Sequence, residues 1–66
     1  MKVVHVTQGN LYGYFLLGFV PYRNSRKGKL VMNNPYTGEK VISENTLKLE
    51  VAKKIEQEWE DSAHEG

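Results

Sequence analysis

The sequence predicts an α+β domain. Its sheet is small and antiparallel, with three strands (2–8, 11–22 and 29–34), and a fourth segment (39–43) either extends it or leads onward. One C-terminal amphipathic helix, 44–62, packs on one face. Three observations carry this. β-branched and aromatic residues dominate the first half. Turn residues punctuate that half at "QGN" and "NPYTGE". From about residue 44 the apolar spacing changes to every fourth residue.

The first strand is read from "KVVHVTQ", residues 2–8. Gly9 and Asn10 tolerate positive φ and mark a turn. The run "LYGYFLLGFVPY", residues 11–22, carries no charge in a chain that is 26% charged. Read as a strand antiparallel to the first, it places Leu11, Phe15, Leu17 and Phe19 under the helix. Tyr12, Tyr14, Leu16, Val20 and Tyr22 then fall on the uncovered face. "RNSRKGK", 23–29, reads as a flexible basic loop and "LVMN" as the third strand. Pro35 and Gly38 shape the second turn. Leu47, Val51, Ile55 and Trp59 form the helix stripe, with Ala52 beside them and Ser43, Asn45 or Thr46 as its cap. On this reading Trp59 packs on Phe15, Leu17 or Phe19.

Sixty-six residues make one domain, 1–66. A chain of this size buries only about 60% of its unfolded surface, so each large apolar residue matters. It has no cysteine, which suits a reducing, cytoplasmic setting and excludes disulfides and thiolate metal sites. The uncharged run is too short, and too rich in Gly and Pro, to span a membrane as a helix.

The net charge of +1 conceals an asymmetry. Residues 1–43 hold six basic residues against one acid, whereas residues 44–66 hold three lysines against seven acids. Segregation of this kind suits a polyanion partner for the basic half, or association of unlike halves.

Nothing in the chain carries the signature of an enzyme. His5 stands alone, His64 lies near the C-terminus, and no zinc, phosphate-loop, dinucleotide or nucleophile-elbow motif occurs. The expectation is a binding module with no catalytic residue, metal, cofactor or small-molecule substrate. Arg23, Arg26, Lys27 and Lys29 fall within seven residues and can track phosphates. Tyr12, Tyr14 and Tyr22 would line the sheet beside them, with Asn24, Asn33 and Asn34 placed to read base edges. The plain alternative is a hairpin loop kept soluble by charge beside a half-buried sheet face.

The segment "GYFLLGFVPYRNSRKGKLVMNNPYTGEKVISENTLKLEVAKKIEQEWE" resembles the arm-type DNA-binding domain of phage and transposon tyrosine recombinases (integrases). The likeness lies in an aromatic strand, the "NPYTGEK" turn and a helix opening near "LKLEVAKKI". It implies a sheet facing the major groove of double-stranded DNA, with Tyr12, Tyr14, Arg26, Lys27 and Lys29 toward the DNA and the helix behind. The rival reading is a small protein-binding or inhibitor protein of phage or mobile-element type. It would act through the aromatic face or through Glu50, Glu56, Glu58, Glu60 and Asp61. A homodimer formed on the tyrosine face or by edge pairing is the third reading.

Overall fold

The structure is a computed structural model that describes residues 1–65, with side chains through Ser62. Its elements are β1 (Lys2–Val4), α1 (Leu11–Leu16), β2 (Val20–Asn24), β3 (Lys29–Asn33), β4 (Lys40–Thr46) and α2 (Leu49–Glu65). The strands form one four-stranded sheet in the order β1-β4-β3-β2. β2, β3 and β4 make an antiparallel meander, whereas β1 pairs with β4 in parallel, Val3 opposite Ile42. The class is α+β, as the sequence predicts, with α2 packed against the sheet. No helix among the described residues is long and apolar enough to cross a membrane.

The uncharged run is where expectation and structure part. Residues 11–22 are not one strand: they form α1, a tight stop, and then β2. Apolar residues sit there at both strand and helix spacings, and the helical set wins. Leu11 and Phe15 are buried, Tyr14 is half-buried, and Leu16 and Leu17 are exposed. A six-residue helix has little stability of its own, so its ends are fixed by other bonds. At the start, Thr7 N donates to Asn10 Oδ1 at 2.7 Å and Asn10 N donates to Thr7 Oγ1 at 3.1 Å. At the end, Gly18 takes φ 101°. Gly18 N then reaches the Phe15 carbonyl and Phe19 N the Tyr14 carbonyl, both at 3.0 Å. These are the two bonds of a Schellman stop, and the usual apolar contact accompanies them, with the Tyr14 and Phe19 rings 5.9 Å apart. Since α1 crosses from one edge of the sheet to the other, β1 and β2 are the two edge strands and are not neighbours.

Other boundaries shift for identifiable reasons. β1 stops at Val4, not residue 8, because a side chain takes over the pairing: Asn45 accepts from Val6 N and donates to the Val6 carbonyl. The segment 39–43 does belong to the sheet, and it runs on to Thr46, so α2 begins at Leu49 rather than 44 and ends at Glu65 rather than 62. Ser43 cannot cap the helix. It is fully buried in β4, where its hydroxyl accepts from Leu30 N at 2.7 Å across a register shift in the β3–β4 pair. β3, whose central residues are fully buried, is an interior strand. Pro21, which lacks an N–H, lies on the edge strand β2.

The cap of α2 comes from across the fold. Asn24, at the end of β2, accepts from Leu49 N at 2.7 Å and donates to the Leu47 carbonyl at 2.8 Å. Ser43, Asn45 and Thr46 are all in β4 and none supplies it. Asn24→Ala removes both bonds and should cost about 2 kcal/mol. A thermal melt should then fall by about 10 °C; an unchanged midpoint would show that the connection holds without it.

The core lies between the sheet and the two helices. Leu11, Phe15, Leu30, Met32, Ala52 and Ile55 are all buried in it. Trp59 is half-buried and tilts against Phe15, ring centroids 5.9 Å apart, which is one of the three contacts expected for it. Leu17, another of those three, is 69% exposed.

Candidate functional site

Strand register separates the two faces of the sheet. Met32 and Val41 belong to the core with Leu30. Alternation therefore sends Lys29, Val31 and Asn33 of β3, and Lys40, Ile42 and Glu44 of β4, to the face opposite the helices. Val3 continues that row on β1 through Ile42, and Arg23 continues it on β2 through Val31. A bulge between Pro21 and Arg23 leaves both Tyr22 and Arg23 exposed. The Lys40 ammonium lies 5.8 Å from the centre of the Tyr22 ring, which places that ring on the open face.

The basic loop is tighter than expected. Arg23 lies within β2. The remainder closes as a three-residue connection between Ser25 and Lys29: Ser25 N donates to the Lys29 carbonyl at 2.8 Å and Gly28 N to the Ser25 carbonyl at 3.0 Å. Gly28 takes φ 78°, the left-handed position such hairpins require. The Gly28 carbonyl accepts from Leu47 N at 3.0 Å, which ties the turn to the approach of α2. Arg26 and Lys27 are thus exposed at the tip of a hairpin fixed on two sides.

Five of the seven residues expected to meet nucleic acid come together on this hairpin: Tyr22, Arg23, Arg26, Lys27 and Lys29. Tyr12 and Tyr14 do not join them. They stand on α1, on the side of α2, because residues 11–16 are helical. Tyr14 is half-buried against Phe19, and the exposed Tyr12 sits edge-on to Phe15. Of the three asparagines Asn33 lies on the open face, but the other two are not free to read bases. Asn24 caps α2, and Asn34 is buried, donating to the Leu17 carbonyl while its Oδ1 accepts from Tyr36 N and Thr37 N. Lys40 is a member of the face that sequence reasoning missed. Its alternation with Val41 was the available signal, but it needed β4 to be a full strand.

The five acids of α2 expected to meet a protein do not form one surface. Glu50, Glu58 and Asp61 are exposed along one stripe with Lys54 between them. Glu56 and Glu60, one turn apart, line a cleft beside Trp59. Partial burial pushes the Glu56 carboxyl above its ordinary value, Glu60 pushes it further, and Lys53 pulls it back. A raised carboxyl destabilises the fold above its folded pKa, and that cost disappears as pH falls through it. Glu56→Gln should therefore melt higher than the parent at neutral pH, with the gain shrinking on acidification; an equal or lower melt at neutral pH would contradict this.

No protein-family model matches this chain, and neither the curated proteins nor the solved structures contain a match.

Proposed function

We propose that this domain binds double-stranded DNA through the β2–β3 hairpin and the adjoining open face, and performs no chemistry. One observation carries the reading. Arg23, Lys29 and Lys40 lie with Tyr22 on the face opposite the helices, and Arg26 and Lys27 are exposed at the tip of the hydrogen-bonded hairpin that joins β2 to β3. Prealigned cations bind a phosphate backbone without first losing the entropy of a floppy loop. A two-stranded ribbon also fits the major groove, about 12 Å wide. The order β2-β3-β4-α2 parallels the three-strand-and-helix plan of the recombinase arm-type domain, a likeness of layout that favours DNA by analogy.

The test is a titration with random-sequence duplex DNA at several salt concentrations. Five phosphate contacts predict a log–log slope of about −4 to −5. No binding at low salt, or a slope near zero, would reject the reading.

A further inference from the structure

A second concave surface lies on the helix side, away from the basic face. It is a cleft of about 250 Å³ between α2, the end of α1 and the β3–β4 turn. Phe15, Phe19 and Trp59 wall it, and Glu56 and Glu60 stand along α2. Tyr36 closes the far side and is 88% exposed. An exposed tyrosine is ordinarily loose, but here Tyr36 N donates to Asn34 Oδ1 at 3.0 Å. Its ring edge lies near Gly18, where an added Cβ would meet Tyr36 Cδ2 at 3.3 Å. The backbone of Tyr36 is thus anchored at the rim, opposite the wall formed by the contacting Phe15 and Trp59 rings.

The geometry points to a docking cleft for an arginine side chain on a segment of a partner protein. Charge complementarity sets the choice. Aromatic faces attract cations, and tryptophan does so most strongly. Two carboxylates one turn apart supply the countercharge, and a planar guanidinium can stack on the indole while bonding them. The apolar walls suit the arginine stem, whereas a hydrated metal ion would leave them unused. α2 itself gains nothing from these acids. Glu56 and Glu60 stand four residues apart on α2, and like charges at that spacing disfavour the helix. Acids that work against their own helix are expected where binding requires them.

Trp59 is the chain's single tryptophan, so its emission reports directly on the cleft. The probe is a short capped peptide with one arginine, titrated beside its citrulline twin. The arginine peptide should shift Trp59 emission saturably, with the citrulline peptide and the Glu56→Gln/Glu60→Gln variant each weaker by about tenfold. Thermal melts of the variant at or above the parent would exclude unfolding as the cause. Unmoved emission, or equal response to both peptides, would overturn the proposal. Emission that shifts with protein concentration alone, together with a doubled mass in sedimentation, would also overturn it, by assigning the cleft to a second copy of this chain. Because the DNA titration reads the opposite face, failure of either experiment leaves the other standing.

Discussion

Phe15→Ala should abolish the cooperative thermal transition of this domain. Phe15 is 6% exposed and joins the two helices, its ring 5.9 Å from Trp59 and 6.4 Å from Tyr12. Truncating a buried phenylalanine costs about 3–5 kcal/mol. Small domains hold little more than that in total. α1 is also too short to persist once its packing is lost. Circular dichroism should show a broad, non-cooperative decline, with Trp59 emission red-shifted from the start. Phe15→Leu, which retains most of the volume, should still melt cooperatively. An alanine variant that melts with the parent would show that α1 is not integral to the core.

The second large effect concerns affinity. Replacing Arg26, Lys27 and Lys29 together by Ala should weaken duplex binding by about two orders of magnitude near 0.1 M salt and reduce the salt slope by about three units. Arg26 and Lys27 are at the exposed tip of the hairpin, and the change in Lys29 leaves the backbone bonds of β3 in place, so the melt should stay close to that of the parent. Neutralising Glu50, Glu58 and Asp61 should change duplex affinity little, and in the favourable direction, because α2 lies behind the sheet. The inverse pattern, in which the acidic variant loses a partner and the basic one does not, would replace DNA with an electropositive protein.

Much of the architecture was legible because it is local. The stripe Val51, Ile55 and Trp59 announces α2, and the Pro35–Gly38 turn announces the β3–β4 hairpin. α1 was not legible from periodicity, since residues 11–22 are apolar at spacings that satisfy strand and helix alike. What decides between them is Gly18 followed by Phe19, a helix stop that reads equally well as a glycine within a strand. The basic half of the candidate site was visible as a cluster of like charges. Its aromatic half was misplaced with α1, and the cleft at Trp59 depends on Tyr36, which lies in the β3–β4 turn, far outside the helix. The asparagines were opaque for a similar reason: Asn24, Asn34 and Asn45 each bond backbone far along the chain, and no short window contains both ends of such a bond.

The parallel pairing of β1 with β4 orders events during synthesis. Val6 and Asn45, which lock that pairing, are 39 residues apart. β1 therefore leaves the ribosome well before β4 and waits longer for its partner than β2 or β3 does. β2, β3 and β4 can zip together through short turns as they emerge, because closing a small loop costs little entropy. β1 can be added only after β4 is complete. Until then Val3, Val4 and Val6 are without their sheet partners, and the nascent chain is most vulnerable to proteases and to mispairing over that interval.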